Sequence, residues 1–175
     1  VRDSVGHTKN IISRIVVSSH DKDASMNDET TQFLLDETLR AILLCNSIVI
    51  DKGVFKCDSP DELCLVSYCK FLGGELINKH GNNVTISIHG VNETWEVAKI
   101  LEFTSERKRM SVLVHQPKRK RYMLYSKGAD DMILSRSCKS GVVHSFDLEH
   151  NYEEIMKCLQ IYADKGYSRN SPDYT

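Results

Sequence analysis

The chain has 175 residues, of which 41% are hydrophobic and 27% charged, and its 23 Lys and Arg are balanced by 24 Asp and Glu. This length and composition predict one globular domain, or at most two, and exclude a chain that is disordered throughout. No apolar run approaches the ~20 residues of a membrane-spanning helix. The net charge of −1 gives no indication of a nucleic-acid partner.

The six cysteines predict neither a metal site nor a disulfide scaffold. They stand at positions 45, 57, 64, 69, 138 and 158 without a C-x-x-C pair, and the seven histidines are scattered. Such spacing is typical of free thiols in a reducing compartment. Four of the thiols lie in apolar stretches and are predicted to act as small hydrophobic side chains, namely Cys45, Cys64, Cys69 and Cys158. Because the chain begins with Val1 and has no secretory pattern, we expect a piece of a longer protein.

The first 28 residues have the least defined pattern. One strand is predicted from an apolar cluster, followed by a polar loop; the cluster consists of Ile11, Ile12, Ile15, Val16 and Val17. From about residue 29 apolar side chains recur at helical spacing, which predicts a helix with Asn27 or Asp28 as its N-cap. A turn is predicted at Asp51-Lys52-Gly53.

The run Ser59-Pro60-Asp61-Glu62 predicts the start of a second helix. Ser stands at the cap, Pro at the first helical position and Glu three residues after Ser, as in a capping box. The buried stripe of this helix is predicted to contain Leu63, Val66 and Cys69, and Gly73-Gly74 is predicted to end it.

The apolar period then changes to two, which predicts four strands at residues 84–88, 95–103, 110–115 and 122–126. The second strand is predicted to place four side chains on one side: Trp95, Val97, Leu101 and Phe103. The connections, at residues 89–93 and 116–120, are short, and such strands form an antiparallel sheet. Two further helices are predicted, at residues 130–136 with Asp130 as cap and at 147–164 with Gly166 as stop. The predicted fold class is α+β, an antiparallel β-sheet flanked by helices.

Two strand ends carry residues with binding chemistry. Phe103 precedes a loop of hydroxyl and charged side chains, and an aromatic ring in that position can stack on a base. Lys127 and Gly128 precede the helix start at Asp130, where a cation and an open backbone suit a phosphate group. Taken alone, each has a simpler interpretation, as a core Phe and as a tight turn. With one strand pair between them, however, the two features can flank one pocket.

Glu62 and a basic cluster are the remaining candidates. The Glu62 carboxylate can accept from an exocyclic amine such as that of adenine, although a capping role alone would also explain it. Seven basic residues lie within residues 107–121 and predict either a polyanion or lipid head-group patch, or a charged hairpin that keeps a sheet edge soluble. No G-x-S-x-G, H-E-x-x-H or P-loop motif is present.

Four segments resemble motifs of P-type ATPases in the same order. They read LCNSIV at residues 44–49, SPDELCLV at 59–66, EFTSERKRMSV at 102–112 and KGAD at 127–130. The second and third are similar to the phospholipid-transporting branch, the flippases. The chain thus resembles the nucleotide-binding (N) domain of that family over roughly residues 30–166, which predicts an ATP-binding N domain at 29–167 after a poorly defined segment at 1–28.

The resemblance implies a role for each candidate residue. Phe103 would stack on adenine, Glu62 would contact the adenine edge, and Ser105 would hydrogen-bond the nucleotide. Lys127, with Gly128 beside it, would line the pocket toward the ribose and phosphates. The family's phosphorylated aspartate lies in a DKTGT motif that this sequence does not contain. We therefore predict no catalytic residue in this chain and ATP binding without turnover.

The tail at residues 168–175 departs from the family pattern, because Arg169 stands one position later than the family's arginine. For the full-length enzyme the resemblance implies ATP with Mg²⁺, phosphorylation and actuator domains in the same chain, and a cytosolic position for this domain of a membrane protein. An accessory subunit is compatible with it. Two alternatives stay open: the N domain of a cation-transporting P-type ATPase, and a non-catalytic interaction module that uses the basic hairpin 107–121. Convergence of Glu62, Phe103 and Lys127 on one cleft would favour ATP.

Overall fold

The computed structural model describes residues 28–137, 142–143 and 146–164. These residues contain four α-helices: α1 (Asp28–Leu44), α2 (Pro60–Cys69), α3 (Asp130–Leu134) and α4 (Leu148–Asp164). They also contain nine strands: β1 (Val49–Asp51), β2 (Val54–Lys56), β3 (Gly74–His80), β4 (Asn83–Ile88), β5 (Val91–Leu101), β6 (Arg109–Gln116), β7 (Arg121–Gly128), β8 (Val142–Val143) and β9 (Phe146–Asp147). Short 3₁₀ helices span Lys70–Leu72 and Pro117–Arg119.

Several predictions lie outside the described residues: the strand at 11–17, the cap at Asn27, the stop at Gly166 and the tail at 168–175. The described residues fall into two compact units, one of which is Asp36–Gly128. The candidate site residues all belong to that unit. Within the part of the chain that the structure describes, no helix is long and apolar enough to cross a membrane.

A five-stranded antiparallel sheet in the order β3-β4-β5-β6-β7 forms the frame of this unit. Each strand pairs with its neighbour along the chain, so the predicted α+β class and the four predicted strands are confirmed. The turn between β4 and β5 is shorter than predicted. Only His89 and Gly90 form it, at φ angles of 49° and 83°, as in the two-residue turns whose twist matches the paired strands.

Strand β5 differs from the prediction in which side chains share a face. Its register against β6 shifts between Val97 and Lys99, and such a bulge reverses the alternation of side chains. Trp95 is therefore fully buried while Leu101 is 39% exposed, and the predicted row is wrong. Phe103 lies beyond the end of the strand and is 60% exposed, so it is not a core residue.

A buried ion network ties α1 to the sheet. Arg40 donates to both carboxylate oxygens of Glu93 on β5, at 3.0 and 2.7 Å, and to Glu37 at 3.0 Å. Trp95 Nε1 also donates to Glu93, and Tyr125 on β7 donates its hydroxyl hydrogen to Glu37. The hydrogen bond with Glu93 raises the pKa of Arg40, which stays charged although it is only 6% exposed.

The predicted helix starts are partly confirmed. Ser59 caps α2 through its hydroxyl, which accepts from the backbone N–H of Glu62 at 3.4 Å, with Pro60 at the first position. The second half of the capping box is absent, because the Glu62 carboxylate binds other groups. Helix α3 begins at Asp130 itself with Ala129 in the cap position, so the predicted cap is wrong.

The cysteines that were predicted to be hydrophobic core residues differ in their burial. Cys45 and Cys69 are buried as predicted, whereas Cys64 is exposed on α2 because it lies one position off the buried stripe. The side chain of Cys158 lies outside the described residues.

Candidate functional site

The Glu62 carboxylate meets Lys127 at the carboxyl end of β7. Lys127 Nζ donates to Glu62 Oε1 at 2.5 Å, and the two side chains are 33% and 13% exposed respectively. Beside this ion pair is a cavity of about 100 Å³ with largely apolar walls. The residues that line it are Ala41, Ile42, Asn46, Glu62, Leu65, Val66 and Lys127. The structure thus joins two of the predicted site residues although 65 positions separate them.

The second oxygen of Glu62 is held by the segment between α1 and β1. Ser47 donates to Oε2 twice, from its backbone N–H at 2.8 Å and from its hydroxyl at 2.6 Å. The thiol of Cys57 lies 3.5 Å from the same oxygen. Burial opposes ionisation of Glu62, but the hydrogen bonds from Lys127 and Ser47 outweigh it and lower its pKa to about 2. Glu62 is therefore ionised at neutral pH, and an ionised carboxylate only accepts hydrogen bonds.

A second lysine supports this segment from β3. Lys79 Nζ donates to the backbone carbonyl of Asn46 at 3.1 Å and to its Oδ1 at 2.7 Å. The side-chain amide of Asn46 in turn donates to the carbonyls of Ile42 and Leu43 in the last turn of α1. Burial lowers the pKa of Lys79 to about 8, although the Glu62 carboxylate acts in the opposite direction.

The loop after Phe103 is a compact turn closed by its own hydrogen bonds. Lys108 N–H donates to the Thr104 carbonyl at 2.7 Å, and Arg107 N–H donates to the Thr104 hydroxyl at 3.1 Å. The Arg107 guanidinium folds back to the Glu102 carbonyl at 2.6 Å. These bonds fix the chain on both sides of Phe103 and Ser105, whose side chains are exposed.

Phe103 and Lys127 lie at the same end of the sheet. Ser111 on β6 pairs with Leu101 on one side and with Ser126 on the other. Neighbouring strands are about 4.8 Å apart, so the ends of β5 and β7 lie on the order of 10 Å from each other across β6. In the described residues no hydrogen bond joins Phe103 or Ser105 to the Glu62–Lys127 pair. Glu62 and Lys127 are thus in direct contact, whereas Phe103 only lies at the same end of the sheet.

The structure explains why position 128 is a glycine, which the sequence alone did not. It pairs with Arg109 at the start of β6, and a Cβ at Gly128 would lie 2.4 Å from the Lys108 carbonyl oxygen and 2.6 Å from Arg109 Cα. The strand backbone itself therefore requires glycine here.

The predicted basic hairpin is not one patch. Arg107, Lys108 and Arg109 lie at the first residue of β6 or just before it, whereas positions 118–121 follow its last residue, Gln116. A strand of eight residues spans roughly 25 Å. The two basic groups are therefore at opposite ends of the sheet.

The sequence matches a known protein family over most of its length. The model of the P-type ATPase cytoplasmic domain N matches residues 34–168. The chain belongs to the P-type ATPase N domains. The predicted family is confirmed, and the confirmed fold class agrees with it.

Relatives of this N domain include proteins named as phospholipid transporters. It is 38% identical over 132 residues to phospholipid-transporting ATPase IC of Xenopus tropicalis, covering 73% of this chain and 10% of the relative. It is 32% identical over 150 residues to phospholipid-transporting ATPase DNF1 of Chaetomium thermophilum, covering 82% and 9%. A guanylate cyclase of Toxoplasma gondii is 33% identical over 119 residues, covering 67% and 3%. The N domain thus spans about a tenth or less of these relatives, and the named transporters agree with the predicted branch.

Sequence analysis missed the residues that hold Glu62. Ser47 and Asn46 lie within the LCNSIV segment, which was noted for its resemblance but given no role. Cys57 was considered only as a free thiol, and Lys79 was missed because β3 was not predicted as a strand. Its bulge between Leu76 and Asn78 interrupts the alternation that would have revealed it.

Proposed function

We propose that this N domain binds ATP at the sheet end formed by Glu62, Phe103 and Lys127, and that it presents the nucleotide to a phosphorylatable aspartate in another domain of the full-length protein. The observation that carries the proposal is the acceptor-only Glu62 beside Lys127 at the rim of an apolar cavity. A purine base needs apolar walls for its faces and a few placed polar groups for its edge.

Each residue has a distinct part in this proposal. Glu62 Oε1 accepts from the exocyclic amine of adenine, and the exposed ring of Phe103 stacks on the base. Lys127 supplies a point charge toward the ribose and phosphates. Ser105, exposed in the turn after Phe103, hydrogen-bonds the nucleotide, and Gly128 keeps the backbone close to β6 beneath it.

Mg²⁺ belongs to the full-length reaction in this proposal. Among the described residues no three His, Cys, Asp or Glu side chains are grouped to hold a metal ion. The described part of the chain therefore does not fit a resident metal site, and no step here depends on one. The complete protein is proposed to be an ATP-hydrolysing phospholipid translocase, with this domain on the cytosolic side and phosphorylation and actuator domains in the same chain.

The test is a titration of the ¹⁵N-labelled chain with ATP and with ADP. We expect a Kd on the order of 0.1–1 mM for both nucleotides, about −4 to −5.5 kcal/mol, because few charged groups face the ligand. Amide shifts should concentrate at Glu62, Phe103 and Lys127 and spare Thr85 on β4. No shifts at 10 mM ATP, or shifts centred elsewhere, would reject the proposed site.

A further inference from the structure

The two carboxylate oxygens of Glu62 have different partners. Oε2 takes the backbone N–H and the hydroxyl of Ser47 and lies near the Cys57 thiol. Oε1 takes only Lys127 among the described groups. Each carboxylate oxygen offers about two lone pairs. The protein therefore fills Oε2, while Oε1 keeps acceptor capacity for one more donor.

Ser47 itself is held on both sides. Before it, Asn46 is only 4% exposed and is bonded to the last turn of α1 and to Lys79. After it, the backbone N–H of Ile48 donates to Asn46 Oδ1 at 3.1 Å. The backbone N–H and the hydroxyl of Ser47 are thus held in a fixed position. These two donors determine the orientation of the Glu62 carboxylate plane.

We propose that Ser47 is a positioning residue that turns Oε1 of Glu62 toward the base and thereby sets a preference for adenine over guanine nucleotides. The inference rests on the proposed function and adds the basis of its selectivity. Adenine presents an amine donor at C6, where guanine presents a carbonyl oxygen. An oriented, ionised carboxylate attracts the first and repels the second.

The hydroxyl is the part of Ser47 that mutation can remove, since the backbone N–H remains. Without it Oε2 regains a free lone pair, and the carboxylate can rotate away from the base. ATP binding depends on this orientation, whereas GTP binding does not use it. If Ser47 had a merely structural role, removing its hydroxyl would lower the affinity for both nucleotides equally.

The experiment compares Ser47→Thr with Ser47→Val in the full chain, because these variants have the same shape and differ in the hydroxyl. Ser67→Ala on the exposed face of α2 serves as a control. Affinities for ATP and GTP are measured by NMR titration in one buffer. We expect Ser47→Val to lower ATP affinity by about three- to tenfold and to change GTP affinity in either direction by less than about twofold. Ser47→Thr and Ser67→Ala should bind both nucleotides as the unmodified chain does.

A double-mutant cycle with Glu62→Gln tests whether Ser47 acts through Glu62. In the Glu62→Gln background, Ser47→Val should cause no further loss of ATP affinity. An equal loss for ATP and GTP, or an undiminished loss in that background, would overturn the positioning role. Full ATP affinity in Ser47→Val together with a loss in Glu62→Gln would also overturn it, but would leave the proposed function standing. If Glu62→Gln binds ATP normally, the proposed site fails and the inference with it.

Discussion

Glu62 is the residue at which the helix start and the candidate site meet, and its titration gives a pH prediction. Its pKa falls from 4.5 to about 2 on folding. A carboxyl group with a depressed pKa stabilises the fold above its unfolded pKa, and this stability is lost as pH falls toward the folded value. We expect Glu62→Gln to lower the free energy of unfolding by roughly 1–3 kcal/mol at pH 7.

The difference between the two proteins should shrink as pH falls from 4.5 toward 2. Urea unfolding at several pH values measures it. Glu75→Gln, which removes an exposed partner of Lys70, is the control and should show little pH-dependent difference. A difference between the unmodified chain and Glu62→Gln that does not change with pH would show that the ionised state of Glu62 is not what stabilises the fold.

Phe103 provides a prediction that separates binding from stability. Phe103→Leu keeps most of the apolar volume but removes the ring face, so ATP affinity should fall by roughly 1–3 kcal/mol. Because the Phe103 side chain is 60% exposed, Phe103→Leu should change the free energy of unfolding by less than about 1 kcal/mol. Phe71→Leu is a matched control, since Phe71 is 55% exposed in the 3₁₀ helix after α2. Equal ATP affinity in all three proteins would remove Phe103 from the site.

Among the elements, the junction of β6 and β7 depends on Gly128. Gly128→Ala would drive a methyl group into the backbone of Lys108 and Arg109, at 2.4–2.6 Å. Overpacking of this kind costs about 1–3 kcal/mol, and backbone atoms have little freedom to retreat. Gly53→Ala makes a useful comparison, because it meets nothing within 4 Å but has a φ of 78°. We expect Gly128→Ala to unfold at lower urea and to disturb the amide signals of Lys127; unchanged stability would contradict the close approach.

The ion network between α1 and β5 gives a second prediction at this scale. Glu93→Gln removes the charge that faces Arg40 in a buried setting, and breaking such a pair costs about 3–5 kcal/mol. The exposed pair of Lys70 and Glu75 is the control, and Glu75→Gln should change stability by less than about 1 kcal/mol. Urea unfolding measures both variants, and similar small losses would contradict the role of the buried network.

How far the sequence predicts these elements depends on whether their signals are local. The cap at Ser59 and the alternation in β4 are local, and both were predicted. The bulge in β5 and the pairing of Gly128 with Arg109 depend on a neighbouring strand, so no period along the chain reveals them. The same holds for the site: residue type indicated Glu62 and Lys127, whereas their contact and the donors of Ser47 arise only from the packing of α2 and β7.

For the whole molecule, the chain should bind ATP without consuming it. The sequence has no DKTGT motif, and the chain spans about a tenth or less of its named relatives. We expect phosphate release from ATP and Mg²⁺ to equal that of a buffer blank while NMR titration still reports binding. Lys127→Met should abolish ATP binding in the NMR titration. Phosphate release by a contaminating ATPase would be the same in this variant, which therefore identifies contamination. Turnover that depends on Lys127 would overturn the prediction.

The ion pair of Lys127 and Glu62 has a consequence for how quickly a ligand leaves. Each charge already has a partner before a nucleotide arrives, so at the proposed site the nucleotide uses only the acceptor capacity that remains on Oε1 and need not neutralise a free charge. When the ligand departs, the lysine and the carboxylate still neutralise each other, so the empty site has no unpaired charge. Such a site favours short residence times. That property suits the proposed function, in which the domain takes up ATP and releases ADP in each reaction cycle.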